Sequence, residues 1–460
     1  MDRNRPFLTR RAAIAGLFSA AALATGPARA EALFSNVGLR GGLDADLSGL
    51  VPDVADDQSR KLQRAIDAAA ASDKILRLPA GDYLFSNVTL PDGARIVGVP
   101  GATRLVYGGR GHGLLAEGAQ RIELSGLVID GVNQALGDHV SGLVQLRAVS
   151  EAVISDIAVS GSSKHGLALE GVGGRVEGST LSGAAFAGLY AVESRGLSIR
   201  DNVVADCANG GILVHRWTKG EDGTIVSGNR IARIAARAGG TGQNGNGINV
   251  FRAGNVMVAG NHISDCAFSA IRANSADNIQ ITGNQAIRSG ETALYAEFAF
   301  EGALISGNIV DGATIGVSVA NFNEGGRLAV ISGNVIRNLK SDGPYPAENA
   351  GFGIGIAVEA DASVTGNTIE GAPKWGVLAG WGPFLRDVNL SGNVIRQAGA
   401  GIAVSVVEGA GAALISDNVF SGTRGGAVVG TRWNEVVTGD LALTGSGRWP
   451  HLTVERNRVS

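Results

Sequence analysis

Runs of apolar residues long enough to cross a membrane are missing from this chain. No stretch of about twenty consecutive apolar residues occurs, so no hydrophobic helix is expected to span a bilayer in the mature protein. Cysteine is nearly absent: Cys207 and Cys266 are the only two, too few for a disulfide framework. Proline is scarce, at 11 of 460 residues, and aromatics make up 5%. The glycines have no three-residue period, which excludes collagen. Charge of one sign is lacking too. The 39 basic and 42 acidic residues leave a net charge of −3 with no long basic run, so nucleic acid is not an expected partner.

Glycine is what the chain has in excess: 70 residues, about twice ordinary usage. Aliphatic residues recur along the whole mature chain, which argues against disorder. The length alone suggests two or three domains, but a repeating solenoid grows without splitting.

The first thirty residues read as an export signal. Arg3, Arg5, Arg10 and Arg11 form a basic start, and an apolar run follows from Ala12 to Ala24. Ala28-Arg29-Ala30 is a small-x-small cleavage site before Glu31. Thr9-Arg10-Arg11-Ala12-Ala13-Ile14 resembles a twin-arginine signal, with Ala-Ile where Phe-Leu is usual. An ordinary secretory signal with adjacent arginines is the alternative. Either way the expected location is periplasmic or secreted.

From about residue 150 one phrase repeats. Its first half is a short strand opened by a small residue, as in Gly188-Leu-Tyr-Ala, Gly211-Ile-Leu-Val, Gly247-Ile-Asn-Val and Gly355-Ile-Ala-Val. Its second half ends in Ser/Thr-Gly-Asn or a variant, at Asn202, Asn229, Asn261, Asn284, Asn308, Asn334, Asn367, Asn393, Asn418 and Asn457. A period near 24 with alternation inside each strand marks a solenoid. The leucine spacing of leucine-rich repeats is absent, and a β-helix fits. The predicted fold is all-β: a single-stranded right-handed parallel β-helix of about a dozen coils. An asparagine recurring at one turn hydrogen-bonds to the turn backbone and to its neighbour, so the asparagine column reads as structural. Cys207 and Cys266 stand five residues after Asn202 and Asn261, with Ile234 at the same phase between them. Two coils at about 4.8 Å each separate the cysteines beyond disulfide reach. Both read as core residues.

The stretch Asp56-Asp57-Gln58-Ser59-Arg60-Lys61-Leu62 through Ala69 reads as an amphipathic helix with acidic residues at its start. Ile75-Leu-Arg-Leu-Pro-Ala-Gly-Asp-Tyr83 and Ala94-Arg-Ile-Val-Gly98 follow as strands. This helix and strand series resembles the N-terminal cap of the pectate-lyase-like β-helix superfamily. A cap is physically required, because the first coil would otherwise expose an apolar end. Signal, cap and repeats together resemble the twin-arginine-translocated uncharacterised repeat protein family. That resemblance implies export and fold, and no activity. The expected organisation is a signal at 1–30, a linker at 31–52, a cap at 53–110 and the β-helix at 111–460.

The superfamily's catalytic motifs do not transfer. The Asp-Pro-His-Glu box of mannuronan epimerases is absent. Gly111-His112-Gly113 and Asp56-Asp57 match fragments of the polygalacturonase pattern, but they precede the repeats and read as chance. No metal ligand set is expected. Calcium is open in such a fold, yet no aspartate cluster of the pectate-lyase kind supports it.

The site must therefore be argued locally. In the Gly-Ile-x-Val strands the Ile and Val positions point inward and the x positions outward. Read that way, His215, Asn249, Arg272 and Tyr295 form an outward column on four successive coils. Glu170, Trp217, Arg252, Asn274, Glu297, Asn321 and Asn323 extend it, and longer turns at 217–223, 238–247 and 340–351 are expected to wall a groove. Trp375 and Trp381 either extend a sugar platform or cover a loop. His165 reads as a turn residue, and His139 and His451 carry no supporting neighbours.

Such a groove suits an acidic polysaccharide or a cell-envelope glycan. Aromatics stack on sugars, and Arg pairs with a uronate. In a β-elimination, Arg272 neutralises the carboxylate while His215 and Tyr295 share the proton transfers. Hydrolysis would need two carboxylates, and the outward candidates Glu297, Glu170 and Glu359 are several coils apart. The alternative is a non-catalytic solenoid that binds a glycan or an envelope partner. A third reading is a plain solvated face.

Overall fold

The computed structural model describes residues 42–44, 49–240, 242–321, 326–348 and 350–460. The export signal expected at 1–30, most of the linker at 31–52, and Asn323 lie outside the described residues.

The chain winds through three parallel sheets in turn, of 16, 15 and 15 strands. Within one coil it first makes the strand that ends in Ser-Gly (first sheet), such as Ile225–Ser227. It then makes the strand after the repeat asparagine (second sheet), such as Arg230–Ile234. Last comes the strand with the Gly-Ile-x-Val phrase (third sheet), such as Asn246–Gly254. Each pairs in parallel with its counterpart one coil away. The stack is longer than the dozen coils expected, because strands inside the predicted cap already belong to it: Ile75–Arg77 pairs with Arg95–Val97, and Gly81–Phe85 with Thr103–Tyr107.

The repeat phrase explains the stacking. Inward Ile, Val and Leu fall on their equals in the next coil, as Ile212 on Ile248 and Ile248 on Ile271. These side chains are fully buried, worth roughly 1.5–3 kcal/mol each. The glycine that opens the third-sheet strand is required by closeness. A Cβ on Gly211 would sit 2.2 Å from the Gly247 carbonyl oxygen, and one on Gly355 2.3 Å from that of Gly376.

The asparagines form the ladder the repeat predicts. Asn229 Nδ2 donates to Asn261 Oδ1 at 2.9 Å, Asn261 to Asn284 at 2.9 Å and Asn284 to Asn308 at 3.1 Å. Each also donates to a backbone carbonyl of the preceding coil, as Asn284 Nδ2 does to Val258 O at 2.9 Å. The ladder runs on to Asn457. Cys207 and Cys266 are free and buried, and burial pushes their thiols up to about 11 and about 12. Ile234 pairs in register with Cys266, the phase the spacing predicts.

Helix α1, Ser59–Ala71, covers the first coil with Leu62, Ala65, Ile66 and Ala69. That i, i+3, i+4, i+7 spacing puts all four on one face. The helix starts after the acidic pair rather than containing it, and Asp57 Oδ1 accepts the Ser59 N–H at 2.8 Å. At the far end Glu435–Asp440 pairs antiparallel with Val428–Arg432. A short helix α2, Leu441–Thr444, follows, capped by the Asp440 carboxylate. Turning this strand back ends the parallel stacking of the third sheet, while Leu452–Glu455 and Arg458–Val459 add a last parallel strand to the first and second sheets.

Candidate functional site

The outward residues of the third sheet form two columns, not one. Asn249 pairs in register with Arg272, and Arg272 with Tyr295. His215 does not join them: it pairs with Phe251, which pairs with Asn274, which pairs with Glu297. The expected single column is corrected on this point. The phrase in the His215 coil is Gly211-Ile-Leu-Val, so Leu213 holds the rung of Asn249 and His215 lies two residues further on. The expected turn at 217–223 is also corrected. Gly210–Glu221 is one 12-residue strand that reaches through most of it.

The chemistry changes along the length of the sheet, and both columns contribute to each part. Toward the N-terminal side an aromatic ladder crosses four coils. His165 stacks on Tyr190 with centroids 4.7 Å apart, Tyr190 meets His215 edge-on at 5.5 Å, and His215 meets Phe251 at 5.7 Å. Arg252 lies 4.7 Å over the Phe251 ring and donates to the Trp217 carbonyl at 2.7 Å. Burial holds both imidazoles far below their ordinary value, at about 4. His165 opens the strand His165–Glu170 rather than a turn, and its Nδ1 accepts the Ala187 N–H at 3.2 Å. Trp217 is exposed, and Glu170 pairs with Arg147 at 3.5 Å.

Further along, the face becomes ionic and buried. Arg272 Nε donates to Glu297 Oε1 at 2.5 Å, and Asn274 Nδ2 donates to the same oxygen at 2.9 Å. The two side chains of the ion pair are 14% and 1% exposed, so this guanidinium is already engaged. Tyr295 lies under it, 5.5 Å from ring centroid to Arg272 Cζ, and burial pushes its hydroxyl up. Asn249 is buried and bonds to the Gln243 carbonyl. Asn321 is buried, with its N–H on Glu359 Oε2 at 2.7 Å. The structure therefore brings Arg272, Tyr295, Asn274 and Glu297 together and sets His215, Trp217 and Arg252 apart in the aromatic ladder.

Two residues that the sequence reading missed complete the site. Glu291 is buried beside Arg272, and burial pushes its carboxyl up. The Tyr345 hydroxyl donates to Glu291 Oε1. Tyr345 packs between Phe268 and Phe352, at 6.3 Å and 5.6 Å between centroids. The long insertion at 340–351 was the available signal, since Tyr345 is its one large aromatic. Four buried polar atoms here and nearby have no hydrogen-bond partner: Arg272 Nη1, Glu291 Oε2, His215 Nε2 and Asn321 Oδ1.

Beside this buried centre lies an open groove of about 320 Å³. Tyr295, Phe298, Tyr345, Phe352 and Trp381 line it with Glu348 and Glu359. The insertion supplies one wall, as expected for 340–351. Trp381 reaches the groove and meets Trp433 edge-on at 5.3 Å. Trp375 is buried against Lys374, whose Nζ is 4.2 Å from its ring, so it extends no platform. His451 Nε2 lies 3.1 Å from the Ser405 carbonyl. Contrary to expectation His139 has a neighbour, the His112 imidazole.

Residues 96–299 match the family described as periplasmic copper-binding protein (NosD). No curated protein sequence matches the chain. Among solved structures the chain resembles the pre-mature bacteriophage phi29 gene product 12 at 16% identity, with a TM-score of 0.62 over 86% of this chain. It spans 58% of that protein's length. The N-terminal fragment of the same phage protein gives a TM-score of 0.60 at 15% identity, over 86% of this chain and 74% of the fragment. The A-module of the Azotobacter vinelandii mannuronan C-5 epimerase AlgE6 gives 0.50 at 16% identity, over 91% of this chain and 99% of the module. At such identities the likeness is one of fold: a parallel β-helix. No described helix is long and apolar enough to cross a membrane.

Proposed function

We propose that the protein is an exported β-helix that binds a polysaccharide along its third sheet, in the groove between the 340–351 insertion and Trp381. The observation that carries this reading is the lining: five aromatic side chains face one open groove with two carboxylates among them. Aromatic faces take the apolar faces of sugar rings, and carboxylates accept from sugar hydroxyls. Rungs about 4.8 Å apart suit a ligand that is itself a repeating chain. Export is supported by Arg10-Arg11 with the cleavage site at Ala28-Arg29-Ala30, and by the match to a family described as periplasmic.

The charge of the groove refines the substrate. The ionisable residues lining it, Glu348 and Glu359, are acidic apart from the tyrosines. Arg272, the cation expected to neutralise a uronate, is spent on Glu297. A neutral or amino-bearing sugar chain therefore suits the groove better than an acidic one. Binding is also favoured over β-elimination, since Tyr295 and His215 stand in different columns and Arg272 is already paired.

Calorimetry of the full chain against neutral, amino-bearing and uronate polysaccharides tests this. Binding to a neutral or amino-bearing chain is expected, and Trp381→Ala weakens it by roughly tenfold, the loss of one stacking contact of 1–1.5 kcal/mol. Preferential binding of uronate chains, or release of an unsaturated product from them, would overturn the refinement. Binding unchanged in Trp381→Ala would move the site elsewhere.

A second reading comes with the matched family, whose description names copper. Copper sites are built from imidazole and sulfur donors. Both cysteines are in the core, while His112 and His139 bring two imidazoles together inside the matched region. Those two imidazoles are hydrogen-bonded to each other, and among the described residues no group of three or more His, Cys, Asp or Glu is placed to hold a metal, so the described side chains do not build a copper site.

A further inference from the structure

The floor of the groove follows one file of outward residues on the third sheet. Tyr295 pairs in register with Ser318, Ser318 with Ala357, and Ala357 with Leu378. The file runs on in register to Ala403 and Val429. By the alternation of a strand all of these point away from the core. Ala357 is half-buried, yet Leu378, Ala403 and Val429 are 5%, 0% and 1% exposed. An outward position is buried only where something lies over it, so from Leu378 onward the floor is roofed.

The roof can be named. The Gly382–Phe384 turn sits on the outer face of the sheet, where the Gly382 carbonyl accepts from Ser405 Oγ at 2.6 Å. Trp433 packs on that turn from the tip of the hairpin made by Val428–Arg432 and Glu435–Asp440. A Cβ on Gly382 would lie 2.3 Å from the Trp433 ring, so only glycine lets the indole settle there. Lys374 fastens the roof to the insertion. Its Nζ donates to the Ala350 carbonyl, and to Asn434 Oδ1 of the hairpin at 2.9 Å.

The other axial end is closed as well. Tyr295 pairs with Arg272, and Gly242 lies against that guanidinium: a Cβ there would sit 2.0 Å from Arg272 Nη1. One flank, where the strands begin, is walled by Tyr345 and Phe352. The opposite flank, where the strands end, is marked by Phe298, which lines the groove and is exposed. Beside it the Ala299 carbonyl accepts from Lys219 Nζ at 2.6 Å, which brings up the end of the strand Gly210–Glu221 and its exposed Trp217. The groove is thus a bay, about 14 Å long over its three rungs from Tyr295 to Leu378, with its way out past Phe298.

We infer that the bay takes the end of a polysaccharide chain rather than its middle. The terminal sugar lies among Tyr345, Phe352 and Trp381, and the rest of the chain leaves past Phe298 toward Trp217. The inference rests on the groove reading above and adds chain-end selection to it. A chain passing through would need a second opening, which the roof and the insertion deny. A terminal sugar also keeps a hydroxyl that an internal sugar spends on its linkage, and Glu348 and Glu359 line the bay as acceptors for it.

Linear dextran and chitosan, a neutral and an amino-bearing probe, are cut into size fractions and mixed with the full chain. Sedimentation then counts protein molecules per polysaccharide chain. One per chain is expected at every length, so that at equal mass the protein bound falls in inverse proportion to length. The double variant Lys374→Ala, Trp433→Ala unties the hairpin from the turn and the insertion, and thermal melting checks that it is folded. Its bound number should rise with chain length. A number rising in proportion to length in the parent chain would overturn the inference and leave the groove reading intact, since Trp381→Ala tests that reading separately. One molecule per chain in the double variant would overturn it too, because the roof would not be what stops the chain. Neither probe bound by the parent chain would end both.

Discussion

Two polar files run along this solenoid, and they are satisfied to different degrees. In the asparagine ladder each carboxamide accepts from the one before and donates to the one after, as Asn284 does between Asn261 and Asn308. The third-sheet face, by contrast, leaves Arg272 Nη1, Glu291 Oε2, His215 Nε2 and Asn321 Oδ1 buried without partners. The difference follows from repetition. Identical residues one coil apart meet in identical geometry, so one solution satisfies all of them. Unlike residues on successive coils need a separate solution at every rung. Stability selects the first kind of file, and buried polar groups left unsatisfied mark where something else is being selected.

The comparison predicts that the irregular file is the more fragile. Glu297→Ala is expected to cost the most, about 4 kcal/mol, because it strands the Arg272 guanidinium in a buried place. Glu297→Gln keeps an acceptor for Asn274 and should cost less. Chemical denaturation of the two variants measures both. A Glu297→Ala loss below that of a ladder variant would reverse the ranking.

Asn284→Ala cuts the regular file in its middle. It removes the acceptor of the Asn261 N–H and Nδ2, and the donors to Asn308 Oδ1 and the Val258 carbonyl. A loss of about 3 kcal/mol is expected. Because each coil touches only its neighbours, hydrogen exchange should rise in the coils around Asn261 and Asn308 and stay unchanged near Asn418. Protection lost evenly along the molecule would show that the ladder is not a chain of local contacts.

The fold was legible because its signals are periodic. The asparagine spacing, the Gly-Ile-x-Val phrase and the α1 pattern each state a local geometry that repetition then confirms. The phase of Ile234 between Cys207 and Cys266 was legible for the same reason. The site was legible only in part. Arg272 and Tyr295 share a column because their coils keep the phrase without slippage. His215 was misplaced because its coil puts Leu213 on the shared rung and the outward polar residue two positions later. Glu291 and Tyr345 were missed for another reason. Their meeting joins residues 54 apart through an insertion, and no period encodes such a contact.

The aromatic ladder offers the smallest effect and the finest test. The imidazoles of His165 and His215 are held at about 4 in the folded chain by burial, against about 6.5 when unfolded. The unfolded chain therefore binds more protons between these values. The stability that each neutral imidazole contributes is complete above the unfolded value and is lost as pH falls toward the folded one. Going from about pH 8 to about pH 5 should cost about 2 kcal/mol for each histidine. His215→Phe is the cleaner probe. It keeps a ring between Tyr190 and Phe251 and removes the unpartnered Nε2, whereas replacing His165 would also strand the Ala187 N–H. Denaturation curves at the two pH values should show the variant losing about 2 kcal/mol less than the parent. Equal losses would mean that the His215 ring is solvated as freely folded as unfolded. The third-sheet face would then be wetter than the ladder it is being compared with.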